Sequence, residues 1–430
     1  MANASDSTDL KPPVATKRAH RVPFGAVEGE NRGYKPFKQL RYRDDPWFWL
    51  RDDERKNEEV LELLRRENAY TTQQTAHLEK FKSKLYDEHI SHLKQTDDRP
   101  AYRHGKFYYY SKTIEGKSYD IYCRKKASTL QAMSNESEEI TLDVNLVAEG
   151  HTQCVVSGVQ PSPDHALIAY SVDFSGNETY DVRVRTLATG EDQATEVVGV
   201  VGGVVWGADN SEFYYLAEDE AKRPYKLFRH RLGELQSQDE CLFTEPDDLF
   251  YMDIWQSQDG KFLLVESSST ETTEIAFLDL LGGTALTTIQ PREFGLRYGV
   301  DHHDGLFIIW TNIDSALNNR LMTAPVAAPG KANWQEVIPY DPARKIDSVQ
   351  VFKGFLALEG REAGLTQLWT IEMGRQGPSA STLHKVAFDE DLYEASISIN
   401  KIALVAASET LRRLAQSSFE GEGEKGWLSL

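Results

Sequence analysis

The sequence has few of the features that mark a disulfide-stabilised, metal-binding or membrane-spanning protein. Its 430 residues include only three cysteines, Cys123, Cys154 and Cys241, and this odd, widely spaced set predicts neither a disulfide framework nor a zinc site. No run of about 18 apolar residues is present, so no transmembrane helix is predicted. The first residues, Met1 to Pro13, are polar and lack the apolar core of a secretory signal. We therefore expect a cytoplasmic protein.

Basic residues are also scarce relative to acidic ones. The chain has 48 lysines and arginines against 67 aspartates and glutamates, a net charge of -19. Such a charge repels nucleic acids and anionic membranes. We therefore expect neither as a partner.

A repeat is present between Val204 and Gly283. Trp206 to Asn210 forms a polar turn before the apolar run Phe213 to Leu216, and Gln256 to Gly260 forms a similar turn before Phe262 to Val265. Each copy continues through a loop into a second apolar segment. The period of about 50 residues is typical of propeller repeats, and each copy predicts a tight turn, a buried strand, a loop and a half-buried strand.

The same pattern recurs in both directions, with about seven starts between Arg99 and Asn400. The first copy, at Gly105, is weak, and the last, Leu392 to Asn400, is a fragment. The sequence therefore predicts an all-β fold, a seven-bladed β-propeller whose last blade is incomplete. The alternative is a β-sandwich with coincidental turns.

An N-terminal helical arm is predicted ahead of the blades. Three bulky aromatics, Trp47, Phe48 and Trp49, precede two amphipathic helices, the first capped by Asp52 or Asp53. Such a cluster usually docks on another surface. If the three rings are left in water, we expect the chain to have low solubility. The predicted organisation is a disordered lead (1–20), an arm with two helices (21–98), the propeller (99–400) and a divergent tail (401–430).

Several segments resemble the N-terminal half of the prolyl oligopeptidase family. They are Pro46 to Asp53, Arg66 to Tyr70, Tyr86 to Glu88, Phe107 to Tyr110, Tyr119 to Arg124 and Gly176 to Tyr180. Arg223 to His230 and Asn318 to Met322 are more similar to the oligopeptidase B branch. The resemblance implies a seven-bladed propeller that covers an α/β-hydrolase domain, onto which the arm wraps. It also implies a serine peptidase that cuts short peptides after Lys or Arg, with the propeller excluding folded proteins.

The nucleophile motif of that family, G-x-S-x-G, does not occur in this sequence. The closest segment, Val156-Ser157-Gly158, lacks the preceding glycine and lies within a predicted blade. No catalytic residue can therefore be assigned, the α/β-hydrolase domain is predicted to be absent, and the chain by itself is predicted to be inactive. Whether the chain is an enzyme stays open. The alternative is a non-enzymatic propeller that binds proteins on its rim.

Four residues are candidates for interdomain contacts: Glu178, Trp47, Phe48 and Trp49. His302-His303-Asp304 is interpreted as a turn before a strand, since adjacent histidines in a strand point to opposite faces and cannot readily share a metal ion. Asp173 is the one candidate for a glycosidase carboxylate, and no partner for it can be chosen. We expect no cofactor and no metal. Peptides are expected as ligands only in the context of a hydrolase domain, and a protein partner is expected for the arm.

Overall fold

The computed structural model describes residues 11–29, 37–193, 196–375, 377–388 and 393–397. The chain divides into two compact units, Met1–Gln95 and Thr96–Leu430. Neither of the longer helices in these ranges has the length and hydropathy that a membrane crossing requires.

The first unit contains a β-hairpin and two helices. Strand β1 (Arg21–Phe24) pairs antiparallel with β2 (Arg41–Asp44), and helices α1 (Glu58–Thr75) and α2 (Glu79–Ser91) follow. Single turns of 3-10 helix span Phe48–Leu50 and Ala76–Leu78. The two predicted helices are therefore present.

The predicted cap of the first helix was wrong. Asn57 caps α1, because it directly precedes the helix and its side chain accepts the Glu59 N–H at 3.0 Å. Asp52 lies further back and accepts the N–H of Asn57 at 2.6 Å, so it holds the capping residue instead.

The second unit consists of consecutive antiparallel sheets, which we number as blades in chain order. Blade 1 contains β3 (Asp97–Asp98), β4 (Tyr102–His104), β5 (Phe107–Thr113), β6 (Ile121–Lys126) and β7 (Glu139–Asp143). Blade 2 contains β8 (Val155–Pro161), β9 (Leu167–Asp173), β10 (Tyr180–Thr186), β11 (Glu191–Asp192) and β12 (Val197–Val200). Blade 3 contains β13 (Val205–Trp206), β14 (Glu212–Glu218), β15 (Pro224–Arg231) and β16 (Glu240–Thr244).

Three further sheets follow. Blade 4 contains β17 (Tyr251–Gln256), β18 (Phe262–Ser268), β19 (Thr273–Asp279) and β20 (Thr287–Gln290). Blade 5 contains β21 (Tyr298–His303), β22 (Leu306–Thr311), β23 (Arg320–Pro325) and β24 (Gln335–Ile338). Blade 6 contains β25 (Arg344–Val351), β26 (Phe355–Glu362), β27 (Leu365–Gly374), β28 (Gly377–Pro378) and β29 (His384–Lys385). The short helices of this unit are α3 (Val144–Val147) and the 3-10 turns Gln131–Asn135, Gln236–Gln238, Ile313–Ser315, Lys331–Asn333 and Ala380–Thr382.

Each blade is an up-and-down antiparallel sheet, as the alternation of turns and apolar runs predicts. Blades 2 and 3 are joined into one nine-stranded sheet through the single pair Val200 and Ala217. The second strand of a blade is buried on both faces, and β14 (Phe213, Tyr214, Tyr215) shows this most clearly. A strand buried on both faces needs a neighbouring sheet on each side.

The hydrophobic core lies in the seams between successive blades. Separate clusters join blades 1 and 2, 2 and 3, 3 and 4, 4 and 5, and 5 and 6. Polar bonds cross the same seams: the Trp206 Nε1–H donates to the Gln160 carbonyl at 3.1 Å, and the Arg223 guanidinium donates to the Phe250 carbonyl at 3.0 Å. Face-to-face packing of consecutive sheets is the β-propeller arrangement that the repeat predicted.

The described residues contain six blades. The predicted seventh begins at Leu392, and of that segment only residues 393–397 are described, where Ile397 packs against Phe352 and Phe355 of blade 6. The number seven therefore stays a prediction. The predicted tail, 401–430, lies outside the described residues.

Candidate functional site

A cavity of about 540 Å³ lies where the first strands of blades 1 to 4 converge. Its wall is formed by His104, Ser157, Gln160, Pro161, Pro163, Val201 to Ala208, Leu216, Asp253 to Gln256 and Gly260. All of these residues belong to the second unit. The cavity is therefore a feature of the propeller by itself.

Two glycines shape one wall of this cavity. Gly158 has a φ of +58°, and a Cβ there would lie 2.3 Å from the Cα of Gly203. The backbone of β8 and the segment that leads into β13 can approach this closely only because both residues lack side chains. A larger residue at position 158 would displace the cavity wall.

The cavity wall carries one carboxylate, Asp253 on β17, which lies directly opposite Glu266 on β18. Directly opposed residues project from the same face of a sheet. Partial desolvation by the surrounding strands raises the pKa of Asp253, although this residue is itself exposed, and desolvation together with the charge of Asp253 raises the pKa of the half-buried Glu266. Neither carboxylate forms an ion pair with a cation of the described ranges, so the pair presents negative charge beside the cavity.

Asp173 ends β9 and Glu178 lies in the loop between β9 and β10, and their roles differ. The Asp173 carboxylate accepts the N–H groups of Ser175 (2.7 Å), Gly176 (3.0 Å) and Glu178 (2.9 Å) and the Ser175 hydroxyl. These bonds hold the pKa of Asp173 below its usual value against its burial. The carboxylate therefore shapes the loop by accepting four hydrogen bonds.

Glu178 is the charged residue among the four exposed residues of this loop, 175–178. Its φ of +61° is a left-handed conformation that few non-glycine residues adopt, and the bond from its N–H to Asp173 holds it there. Beside it, Thr179 and Lys222 both bond to Glu218, so the neighbouring charges are already paired. The Glu178 carboxylate has no ion-pair partner among the described residues. This geometry fits a contact with another domain.

Exposed apolar side chains occupy the same edge of the propeller as Glu178. Loops that join the second and third strands of a blade, or one blade to the next, must lie on one edge of up-and-down sheets. These loops carry Phe294, which is 89% exposed, Leu317, which is 73% exposed, and Leu249, which is half exposed. We call this edge the Glu178 edge.

The three candidate aromatics of the arm differ in exposure. Trp47 is 44% exposed, with the Lys17 ammonium 5.2 Å from its ring. Phe48 stacks on the His20 ring at 4.1 Å, and the Trp49 Nε1–H donates to the Thr16 carbonyl at 2.8 Å. Phe48 and Trp49 are therefore partly covered by residues 16–20, which the sequence had assigned to a disordered lead. The expectation that all three rings are left in water holds best for Trp47.

No arrangement for nucleophilic catalysis is found among the described residues. Ser157 lies in the cavity wall on strand β8, not on the strand-to-helix turn that carries a nucleophilic serine in this type of hydrolase. The interpretation of His302-His303-Asp304 as a turn was wrong for the two histidines, which are the last residues of strand β21, and only Asp304 lies in the turn. Their rings point apart, because neighbours in a strand face opposite sides: the His302 ring contacts Asp259 at 2.8 Å, and the His303 ring contacts the Lys353 carbonyl at 2.9 Å. Within the described ranges, no three His, Cys, Asp or Glu side chains are arranged to hold a metal ion.

Sequence reasoning missed the carboxylates near the cavity, Asp253, Glu266 and Asp301. Each follows apolar residues of its strand, and an acidic residue at that place was the available signal. Their proximity to a cavity depends on strand register and on packing between blades, which no local pattern reports.

Comparison with known proteins agrees with this architecture. A family profile described as the prolyl oligopeptidase N-terminal β-propeller domain matches residues 25–414. This match covers most of the chain and includes every blade described above. The chain belongs to the prolyl oligopeptidase family and contains its N-terminal propeller.

Two curated relatives support the assignment. Protease 2 of Moraxella lacunata is 33% identical over 359 residues, which cover 83% of this chain and 50% of that protein. Dipeptidyl aminopeptidase BI of Pseudoxanthomonas mexicana is 31% identical over 402 residues, which cover 90% of this chain and 53% of that protein. The chain spans about half the length of the curated relatives it matches.

Solved structures indicate the branch within the family. Oligopeptidase B from Leishmania major superposes with a TM-score of 0.84 at 38% identity, covering 89% of this chain and 54% of that one. The closed form of oligopeptidase B from Trypanosoma brucei, with covalently bound antipain, has a TM-score of 0.82 at 40% identity with the same coverage. The chain is thus an oligopeptidase B-like propeller, as the sequence resemblance implied.

Proposed function

We propose that this chain is the peptide-gating portion of an oligopeptidase B-like serine endopeptidase that cuts short peptides after Lys or Arg. In the whole enzyme a hydrolase domain would supply the nucleophile, and this chain alone would not hydrolyse peptides. We infer a cytoplasmic location from the scarcity of cysteine. The proposal rests on membership in the family and on one observation, the carboxylate-bearing cavity at the centre of the blades.

The cavity suits a basic peptide. Asp253 lines it and has no cationic partner in the part of the chain that the structure describes, and Glu266 adds negative charge directly opposite. An uncompensated carboxylate in a partly desolvated cavity attracts a cationic side chain more strongly than one in bulk water. The net charge of -19 also attracts cationic peptides, at longer range than the cavity does.

The Glu178 edge is the proposed contact surface for the hydrolase domain. Exposed Phe294 and Leu317 would become buried there, and Glu178 would pair with a basic residue. Trp47, Phe48 and Trp49 are proposed to contact the same domain from the arm. Large exposed apolar side chains on adjacent loops are typical of protein interfaces.

The inactivity of this chain is tested by incubating the purified 430-residue protein with an Arg-containing fluorogenic peptide. We expect no turnover above buffer. Turnover that a serine-directed inhibitor abolishes would overturn the proposal, because it would require a nucleophile within this chain. A mock preparation, purified in parallel from cells that carry the empty vector, measures turnover by contaminating host peptidases.

Peptide selection by the cavity is tested by binding. A fluorescent Lys/Arg-rich peptide and its Glu-substituted counterpart of equal length would be titrated with the chain, and we expect the basic peptide to bind at least about tenfold more tightly. Asp253→Asn should reduce that preference by removing the charge while keeping the shape. Asp304→Asn, a change at an exposed turn outside the cavity, is the matched control. An unchanged preference in Asp253→Asn would contradict the role of the cavity.

The second candidate is a non-enzymatic interaction protein. The exposed apolar side chains of the Glu178 edge favour it, because they would suit any protein partner. A binding preference that depends on Phe294 and Leu317 but not on Asp253 would support this alternative over peptide gating.

A further inference from the structure

Two β-bulges lie side by side in the wall of the cavity. Between Ser157 and Gln160, β8 holds one residue more than the facing stretch of β9, 169–171. The segment 201–204, which joins β12 to β13, lies opposite only residues 215–216 of β14. Ser157, Gln160 and the segment 201–204 line the cavity. Extra residues interrupt the ladder of hydrogen bonds between strands, so bulges expose main-chain groups that a regular strand would pair.

The second bulge leaves main-chain groups available for a ligand. The Ser171 hydroxyl donates to the Gly202 carbonyl at 2.6 Å, and the Val201 N–H donates to the Leu216 carbonyl at 3.1 Å. Across the described ranges, no hydrogen bond engages the N–H of Gly202 or the N–H and carbonyl of Gly203. Gly203 is exposed. A ligand can therefore bond to these groups without breaking a bond of the fold.

The surrounding residues hold this bulge in place. Ser171, which bonds to the bulge, is fully buried, and Val204 packs in the core cluster between blades 2 and 3. The backbone of Gly158 packs closely against that of Gly203. Binding groups that are fixed before the ligand arrives lose little conformational freedom when it binds.

The available groups suit a peptide main chain better than an anion. Gly203 offers one donor and one acceptor, and each peptide unit of an extended ligand carries the complementary pair. Asp253, in the same cavity wall, carries a negative charge that repels anions. Main-chain hydrogen bonds of this kind supply the affinity when a peptide strand is added to a sheet. The cavity volume of about 540 Å³ has room for a short segment.

We propose that the two bulges form a main-chain recognition site for an extended segment of a short basic peptide. The inference rests on the proposed function, because it concerns the peptide that Asp253 attracts into this cavity. The Gly203 N–H donates to a carbonyl of the peptide, and the Gly203 carbonyl accepts an N–H from it. Asp253 then selects peptides by charge, whereas the bulge at Gly203 selects them by their backbone.

Main-chain recognition sets a rule for the peptides that bind. Proline has no N–H, so a peptide with proline at the position bound by Gly203 loses one hydrogen bond. Other residues at that position keep their N–H, whatever their side chain. The site therefore accepts basic peptides of varied sequence and discriminates against proline at one position.

The test replaces single amide bonds of the ligand. In the fluorescent Lys/Arg-rich peptide, each internal amide is changed in turn to an ester, which removes one N–H and keeps the length, the charge and every side chain. We expect the affinity for the 430-residue chain to fall about three- to tenfold at one position or two adjacent positions, the effect of one lost hydrogen bond. Proline at the sensitive position should weaken binding at least as much. Equal affinity of all the ester-substituted peptides would overturn the proposal.

A matched pair of variants assigns the effect to the bulge. A Cβ at Gly203 would lie 3.2 Å from the Gly158 Cα, so Gly203→Ala shifts one bulge relative to the other and should reduce the sensitivity to ester replacement. Gly282→Ala is the control, because a Cβ there meets nothing within 4 Å, and it should behave as wild type. The same ester profile in Gly203→Ala as in wild type would contradict the assignment.

A measurement on the wild-type chain decides the location if Gly203→Ala fails to fold. Millisecond amide hydrogen exchange would be followed with and without saturating basic peptide. We expect slower exchange in residues 201–204 on binding and no change in residues 327–333, which lie outside the cavity. Unchanged exchange in residues 201–204 would overturn the proposal.

The outcomes separate this inference from the proposed function. A preference for basic over acidic peptides without sensitivity to ester replacement overturns the main-chain site and leaves the gating role standing. Sensitivity to ester replacement without a charge preference supports the main-chain site and contradicts the role of Asp253. The absence of any peptide binding overturns both.

Discussion

The arm and the propeller use apolar residues in different ways. In the propeller, the second strand of each of blades 2 to 6 is mostly buried, and Phe307 on β22 has no exposed surface. In the arm, α2 has no buried residue, and α1 buries only Val60 and Leu63. The propeller therefore contains its own core, whereas the apolar faces of the arm contribute little to the stability of this chain.

The largest expected effect is in the seam between blades 4 and 5. Phe307→Ala should lower the free energy of unfolding by about 3–5 kcal/mol, because it empties space that Phe277 and Phe262 share with it. Urea unfolding followed by far-UV circular dichroism measures this. Phe294→Ala, a change of the same type at an exposed loop, should stay within about 0.5 kcal/mol. A loss below about 1 kcal/mol for Phe307→Ala would mean that the seam tolerates a cavity. The propeller core would then not differ from the arm in its contribution to stability.

A smaller effect is expected from a backbone contact in blade 6. A Cβ at Gly360 would lie 1.9 Å from the Lys345 carbonyl oxygen, so Gly360→Ala must push β25 and β26 apart. We expect a loss of about 1–3 kcal/mol in the same unfolding measurement. Gly282→Ala is the control, because a Cβ there meets nothing within 4 Å. Equal stability of the two variants would argue against tight pairing in this blade.

The smallest effect is expected in the arm. Phe81 on α2 is 56% exposed, so Phe81→Ala should change the free energy of unfolding by no more than about 0.5 kcal/mol. Comparison with Phe307→Ala sharpens the contrast, since the chemical change is identical. A loss above about 1 kcal/mol would show that the arm is covered in solution and contributes to the fold.

The fold could be predicted from the sequence because its signals are local. Turns such as Gln256 to Gly260 and the apolar runs after them recur at a constant period, and each strand pairs mainly with its sequence neighbours. The position of Glu178 in a loop between two strands was predictable for the same reason. The helix cap was missed because Asp52, Asp53 and Asn57 are all good capping residues. Only the residue at which the helical backbone begins, Glu58, distinguishes them.

The candidate site could not be predicted in the same way. Asp253 and Glu266 lie 13 positions apart in the chain, and their juxtaposition depends on the register of β17 and β18. The attachment of Asp301 to Gln258 crosses a seam between blades. Neither relation is contained in a short segment.

The amino-acid sequence by itself determined the class of structure, an acidic chain of repeated antiparallel sheets with a helical arm and no G-x-S-x-G nucleophile. Turn chemistry and period-2 burial act over a few residues, so they can be read along the chain. The tertiary structure alone decided which carboxylates share a cavity, which carry raised pKa values and which faces of the arm stay exposed. Those properties depend on desolvation and on distances between residues of different blades, and both exist only after the sheets have packed.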